Sequence, residues 1–126
     1  MARKVYNTKN ATVSGPYSHA VDAGDYVFLS GQTARNSTGA GKDAVSIADQ
    51  THECFNNLFD ILKSANLTPD DVVKVNVFLT SMKHFPEMNE VYEKQFSAPH
   101  PARTTVAVLE LPLGADVEIE MIAKRP

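Results

Sequence analysis

The sequence contains Pro101-Ala-Arg-Thr-Thr-Val106 and Val117-Glu-Ile-Glu-Met-Ile-Ala123, two segments in which apolar and polar residues alternate. A period of two is typical of half-buried strands, because successive side chains of a strand point to opposite faces of its sheet. Leu111-Pro-Leu-Gly114 lies between them and has the composition of a turn, since Pro fixes φ and Gly tolerates positive φ. The two segments therefore predict a pair of strands joined by a short turn.

This strand pair also predicts which side chains share a face. If the strands run antiparallel with their apolar sets together, Val106 lies opposite Ile119 and Val108 lies opposite Val117. The polar side chains would then share the other face, and these are Arg103, Thr105, Glu118 and Glu120. On spacing alone, a solvated face with a surface ion pair is the favoured interpretation, because charged side chains usually stay exposed.

Three further strands are indicated upstream, at residues 18–21, 26–30 and 73–79. Asp22-Ala-Gly-Asp25 is a suitable hairpin loop between the first two, because Asp and Gly both favour tight turns. The polar loop Asn36–Lys42 carries two glycines and a lysine, but its spacing does not fit a phosphate-binding loop.

Two helices are predicted where apolar residues recur at helical spacing, from about Ser46 to Ala65 and from about His84 to Phe96. The resulting order is β-β-α-β-α-β-β. Helices that connect strands favour crossovers on one face of the sheet, so the other face would be left uncovered. For a sheet rich in Val, this predicts burial of the open face by another subunit.

The bulk composition indicates a single globular domain over residues 1–126, with 43% hydrophobic residues. A net charge of −3 argues against a dedicated nucleic-acid binder. No apolar run approaches membrane-spanning length, no secretory signal is visible, and Cys54 alone cannot form an internal disulfide. We therefore expect a cytosolic protein with no membrane association.

Metal and cofactor chemistry are not indicated either. The four histidines lack metal-binding spacing, and they are His19, His52, His84 and His100. Cys54 lies mid-helix near the apolar stripe, where a small buried hydrophobe is expected rather than a reactive thiolate. No nucleophile elbow or cofactor-binding motif is present. We expect a site that uses neither a metal nor a cofactor.

Five short motifs carry a resemblance to a known family. In chain order they are Gly15-Pro-Tyr-Ser-His-Ala20, Leu29-Ser-Gly-Gln32, Met88-Asn-Glu-Val-Tyr92, Pro101-Ala-Arg103 and Val117-Glu-Ile-Glu120. Together they resemble the RidA family, also called YjgF or liver perchloric-acid-soluble protein, over residues 15–123. The C-terminal pair of motifs is the most specific part of the likeness.

The resemblance implies a fold and an activity. The implied fold is α+β and chorismate-mutase-like: a six-stranded mixed sheet with two helices on one face, assembled as a homotrimer with ligand clefts between subunits. The implied reaction is hydrolysis of reactive 2-imino acids, such as 2-iminopropanoate and 2-iminobutanoate, to 2-keto acids and ammonia. No cofactor or metal is implied.

The resemblance also implies roles for particular residues. Arg103 would grip the substrate carboxylate through charge-assisted hydrogen bonds, and Glu118 would deprotonate the attacking water. Backbone groups at Gly31 would hold the substrate, and Tyr17 would wall the cleft. Asn89 would lie near the neighbouring subunit's cleft, as would Tyr92.

Thr105 departs from the family pattern, because many deaminating members carry Cys two residues after the arginine. A hydroxyl can replace a thiol in hydrogen bonding but is a poorer nucleophile. Three alternatives to the deaminase stay open: a non-catalytic module that binds 2-keto acids, an endoribonuclease or translation inhibitor, and a holdase-like chaperone.

Overall fold

A six-stranded mixed sheet with two helices forms the protein in the computed structural model, which describes residues 2–9, 11, 15–34 and 45–126. The strands are β1 (Lys4–Tyr6), β2 (Ala20–Asp22), β3 (Tyr26–Thr33), β4 (Val72–Leu79), β5 (Ala102–Ala107) and β6 (Val117–Lys124). The helices are α1 (Ile47–Ser64) and α2 (Phe85–Tyr92). The sheet order is β1-β2-β3-β6-β4-β5, and β4–β5 is its parallel pair. The mixed sheet and two helices implied by the resemblance are confirmed.

The first helix forms where the apolar stripe predicts it. Ser46 caps its N-terminus by accepting a hydrogen bond from the backbone N–H of Asp49, which satisfies one of the free donors of the first turn. Beyond its C-terminus, Asn66 takes a left-handed conformation with φ of 60°. Phe55 and Leu58 point inward and are fully buried, so α1 packs its apolar stripe against the sheet.

The second helix is shorter than predicted. It starts at Phe85, with Pro86 in its first turn as expected, but it ends at Tyr92 rather than near Phe96. The chain turns after Tyr92, and the Phe96 ring packs at 5.6 Å from the Tyr92 ring and 5.8 Å from the Phe55 ring. The backbone there changes to tighter bonds between residues three apart, because the Lys94 N–H donates to the Val91 carbonyl and the Gln95 N–H donates to the Tyr92 carbonyl.

The two faces of the sheet differ in burial. One face lies under the helices and contributes Val27, Leu29, Val75, Val77, Val117, Ile119 and Met121 to the core. The opposite face carries apolar side chains that remain exposed, among them Phe28 (48% exposed), Tyr26 (42%) and Val106 (41%). Exposed apolar side chains on one sheet face are typical of surfaces that pack against another protein.

The predicted pairing of the last two strands is wrong. β4 lies between β5 and β6, so Val106 is in register with Phe78, and Ile119 is in register with Val77. β4, α2 and β5 form a strand–helix–strand unit, whose strands run parallel and lie side by side. The interior position goes to β6, which is buried on its helix side, and the more exposed β5 takes the edge.

The short first strand was not predicted. β1 has three residues, too few to show an alternating pattern, and it pairs with β2. A cluster at this end of the sheet fixes it: the Arg125 guanidinium donates to the Asp22 carboxylate at 2.7 Å and to the Tyr6 hydroxyl at 2.9 Å. The polar loop at residues 36–42 lies outside the described residues. The assignment of residues 1–126 to one domain stays a prediction.

Candidate functional site

A cleft of about 340 Å³ opens on the exposed face of the sheet, around the side chain of Glu118. We refer to it as the glutamate cleft. Its lining includes Tyr17, Ser30, Gly31, Pro112, Glu118 and Glu120. Three of the residues singled out from the sequence, Tyr17, Gly31 and Glu118, are therefore brought together.

The cleft is built around an irregularity in β3. The β3–β6 register shifts between Leu29 and Gln32, so Ser30 and Gly31 together face one residue of β6. A Cβ at Gly31 would lie 3.1 Å from the Glu118 carboxyl carbon and closer still to its Oε2 atom. Because Gly31 has no side chain, the Glu118 carboxylate can lie directly against the Gly31 backbone, and any side chain there would displace it.

Burial and a second acid both act on Glu118. Half-burial raises the pKa of the Glu118 carboxyl above its usual value, and the negative charge of Glu120 raises it further. Glu120 itself accepts a hydrogen bond from the Asn76 amide at 2.9 Å. The cleft therefore contains a carboxylate whose basicity is increased, as a general base requires.

A polar network fixes the start of β6, two residues before Glu118. The backbone N–H of Asp116 donates to Gln50 at 2.9 Å, and the Asp116 carboxylate accepts from Gln50 at 3.2 Å and from Thr80 at 3.0 Å. Gln50 is buried on α1, so losing these partners would leave a polar group unsatisfied in the core. The network holds the strand that carries Glu118 in a fixed register.

A second cleft, of about 370 Å³, lies against Arg103 at the edge of the sheet. We refer to it as the arginine cleft, and its lining includes Asn89, Tyr92, His100 and Arg103. Arg103 Nη1 donates to Asn89 Oδ1 at 2.7 Å, and the guanidinium carbon lies 4.5 Å from the centre of the Tyr92 ring. This arrangement presents a positive charge that is suited to a carboxylate.

The prediction that Arg103 and Glu118 share a face is wrong. Arg103 is in register with Val75, whose side chain is buried under the helices, whereas Glu118 is in register with Phe78 on the open face. The prediction assumed that β5 and β6 are direct partners. With β4 between them, the alternation of β5 turns Arg103 towards α2.

Thr105 lies on the helix side of β5, two residues beyond Arg103, and lines neither cleft. Its Oγ1 is buried and has no hydrogen-bond partner among the described residues. The prediction that Thr105 shares a face with Glu118 fails for the same reason as that for Arg103. A substrate-binding role for Thr105 stays a prediction.

Sequence reasoning did not assign a role to three residues near the clefts: Asn76, Pro112 and His100. Asn76 has a signal in the sequence, since it is the polar residue between Val75 and Val77 of an apolar strand. His100 directly precedes the Pro-Ala-Arg motif, and its ring lies 3.3 Å from the Glu93 carbonyl. Pro112 lies in the segment predicted as a turn, and its sequence context indicates no contact with the cleft.

Metal-binding clusters and membrane-spanning helices are both absent from the described part of the chain. Within it, no three His, Cys, Asp or Glu side chains gather closely enough to hold a metal ion. No helix there is long and apolar enough to cross a membrane. The Cys54 thiol is fully buried and burial raises its pKa strongly, so it is unsuited to act as a nucleophile.

Comparison with known proteins places this architecture in a family. The family model described as Endoribonuclease L-PSP matches residues 8–125. A RutC family protein of Aquifex aeolicus is 41% identical over 123 residues, covering 96% of this chain and 98% of the relative. A protein of Dermatophagoides farinae named 2-iminobutanoate/2-iminopropanoate deaminase is 42% identical over 108 residues, covering 86% of this chain and 84% of the relative.

A solved structure agrees with these sequence matches. The crystal structure of RidA from the Antarctic bacterium Psychrobacter superposes with a TM-score of 0.85 at 36% identity, covering 98% of this chain and all of that chain. The fold is an α+β domain with a six-stranded mixed sheet, two helices and an open sheet face. The chain belongs to the RidA/YjgF family, whose matching model bears the description Endoribonuclease L-PSP.

Proposed function

We propose that this chain is a hydrolase that converts reactive 2-imino acids, such as 2-iminopropanoate and 2-iminobutanoate, to 2-keto acids and ammonia. Membership of the family and the deaminase relative at 42% identity support this reaction class. The proposed partner is therefore a small imino or keto acid. The proposed location is the cytosol, and neither nucleic acid nor a cofactor takes part.

The observation that carries the proposal is the contact between Glu118 and Gly31. Glu118 is half-buried, has a raised pKa and is placed against backbone by the absence of a side chain at Gly31. A base held in one position beside a small cleft is suited to orienting a water molecule against an electrophilic carbon. A surface ion pair would require neither the glycine nor the raised pKa.

We propose further that the complete site forms between subunits of a homotrimer. Within one chain Arg103 and Glu118 lie on opposite faces of the sheet and in separate clefts, so one small substrate cannot contact both. The open face carries exposed Phe28, Tyr26 and Val106, which a partner subunit would cover. Packing of that face would bring Arg103 of one subunit to Glu118 of its neighbour.

Arg103 and Glu118 supply the binding group and the base that the proposed reaction needs. Arg103 binds the substrate carboxylate in a bidentate manner, and Tyr17 bounds the cleft. Glu118 takes a proton from water as the water oxygen bonds to the iminium carbon, which gives a tetrahedral carbinolamine. Glu118 then returns the proton to nitrogen as the carbon–nitrogen bond breaks. Glu118 takes the remaining hydroxyl proton as the carbonyl of the keto acid forms, and ammonia then carries that proton away as ammonium, which leaves Glu118 ionised again.

A second function is favoured by one observation. Thr105 stands where many deaminating relatives have Cys, and its buried hydroxyl lines neither cleft. If the thiol contributes to turnover, this chain would be a binding module that senses 2-keto acids without hydrolysing their imines. The clefts and the Arg103 anchor would be the same in both functions.

A coupled assay separates the two functions. An amino-acid oxidase generates the 2-imino acid, semicarbazide traps the fraction that survives, and purified protein is added or withheld. We expect wild type to reduce the trapped adduct and Arg103→Ala to have no effect, with the oligomer intact by size-exclusion chromatography. Binding of 2-oxobutanoate without any reduction in adduct would support the sensor. Full activity in Arg103→Ala would overturn the carboxylate-anchor role.

A further inference from the structure

The Arg103 side chain is held by three residues of α2 that occupy one face of that helix. Phe85, Asn89 and Tyr92 are spaced i, i+4 and i+7, which places them in line along a helix. Arg103 comes from β5, the parallel neighbour that α2 connects to β4. The strand–helix–strand unit therefore places the Arg103 guanidinium against the face of α2 that carries these three residues.

One edge of the guanidinium is already engaged. Nη1 donates to Asn89 Oδ1 at 2.7 Å, a short charge-assisted hydrogen bond. A guanidinium has five N–H donors in a planar fork, so a bond at Nη1 leaves donors on the other atoms for a carboxylate. The bond to Asn89 sets the rotation of that plane.

The aromatic rings support the guanidinium from the side. Its central carbon lies 4.5 Å from the centre of the Tyr92 ring and 5.4 Å from that of Phe85. Tyr92 is 4% exposed, and its ring packs edge-on against the fully buried Phe55 at 5.6 Å. The aromatic support is therefore fixed to the core, whereas Arg103 itself sits on an edge strand.

We propose that Asn89 and Tyr92 are positioning residues for the carboxylate anchor, and that Asn89 acts through Arg103 rather than by binding substrate. The inference rests on the proposed function for the identity of the ligand, an α-keto or α-imino carboxylate. An arginine has several rotatable bonds, and holding it in place before the ligand arrives removes an entropic cost of binding. The sequence alone had placed Asn89 among the substrate-binding residues.

The test measures binding of 2-oxobutanoate to the full-length protein by calorimetry, in variants that separate packing from charge. We expect Asn89→Ala to weaken binding about tenfold, the effect of losing one charge-assisted contact. Asn89→Asp keeps the shape but adds a carboxylate that competes for Arg103, so it should weaken binding further, on the order of thirtyfold. Tyr92→Leu should weaken binding more than Tyr92→Phe, which keeps the ring.

Two controls test whether weaker binding comes from a general disturbance of the protein or from loss of the contact between Asn89 and Arg103. Asn56→Asp makes the same chemical change at an exposed position of α1 and should bind like wild type. Nitrogen NMR of arginine side chains should show slow rotation of the Arg103 guanidinium in ligand-free wild type and faster rotation in Asn89→Ala. The NMR result depends on neither ligand nor turnover.

The outcomes distinguish this inference from the proposed function. If wild type binds 2-oxobutanoate but hydrolyses no imine, the proposed deaminase function is wrong, whereas the positioning role of Asn89 and Tyr92 is kept. If Asn89→Asp binds as tightly as wild type, or if Arg103 rotates equally fast in wild type and Asn89→Ala, the positioning role is overturned. Failure of wild type to bind 2-oxobutanoate would overturn it as well.

Discussion

The glutamate cleft and the arginine cleft are held in place by different means. In the glutamate cleft, Glu118 stands on an interior strand and lies against the backbone of the neighbouring strand at Gly31. In the arginine cleft, Arg103 stands on an edge strand and is held by side chains of α2. A single added methyl group at Gly31 would displace Glu118 directly, whereas the contacts that hold Arg103 can be removed one at a time.

The difference matters because we propose different tasks for the two groups. A general base must hold a water molecule in line with the carbon that it attacks, to within a few tenths of an ångström. An interior strand gives the base that rigidity. A carboxylate anchor needs charge and orientation, which a guanidinium backed by Asn89 and Tyr92 supplies. Variants that alter one cleft at a time show whether the two clefts act independently.

The largest effect is expected from Glu118→Gln, which keeps the shape and removes the base. We expect imine turnover to fall by about a thousandfold, in the range of general-base removal. Binding of 2-oxobutanoate should change little, because its carboxylate contacts the other cleft. Steady-state kinetics and calorimetry on one preparation measure both. Unchanged turnover would remove Glu118 from the mechanism.

Gly31→Ala should have the next largest effect. The new methyl group would meet the Glu118 carboxylate, which is the far end of a flexible side chain and can move aside without unfolding the sheet. We expect turnover to fall by about a hundredfold, because a base displaced by about 1 Å loses its alignment. The melting temperature should fall only slightly. A variant with wild-type turnover would show that the contact is not required.

Glu120→Gln should shift the pH dependence of turnover. Glu118 acts as a base when ionised, so turnover rises as pH increases through its pKa. The charge of Glu120 raises that pKa, and its removal should move the acid limb of the profile to lower pH. A profile of kcat/KM against pH in both proteins measures the shift. An acid limb that stays in place would show that Glu120 does not act on the base.

Asp22→Asn should affect stability and leave both clefts unchanged, because the Arg125–Asp22–Tyr6 cluster lies at the other end of the sheet. The hydrogen bond from Arg125, with smaller contributions from the Gly24 backbone and the Tyr6 hydroxyl, lowers the pKa of Asp22 from 3.8 to about 2. The folded state therefore gains stability above the unfolded pKa and loses it as pH falls from about 4 to about 2. Thermal unfolding across that range should show a smaller acid-induced loss in Asp22→Asn. A change in 2-oxobutanoate affinity would contradict the independence of this region.

Much of the fold could be predicted from local pattern. Helical spacing and the Ser46 cap define α1, and the Asp22-Ala-Gly-Asp25 loop defines the β2–β3 hairpin. Period-two alternation identifies β4 and β6. The end of α2 was missed because apolar residues continue at helical spacing to Phe96, although the backbone after Tyr92 changes to hydrogen bonds between residues three apart. β1 was missed because three residues show no period.

The composition of the site could be predicted better than its arrangement. The motifs identify Arg103, Glu118, Gly31, Tyr17 and Asn89. The sequence gives no sign that the first two belong to different faces, since alternation is the same whichever strand lies alongside. Asn76 and the Gln50–Asp116 network were also missed, because their partners lie on other elements.

The sequence by itself determined all the elements except β1 and the end of α2, together with the family resemblance and several residue types of the two clefts. These depend on local periodicity, on turn and capping residues, and on motifs that stay together along the chain. Only the tertiary structure decided that β4 separates β5 from β6, and hence that Arg103 turns towards α2 while Glu118 rests on Gly31. Strand order is set by the parallel crossover and by which strand buries the most apolar surface. Both are properties of the whole sheet, and no single segment encodes them.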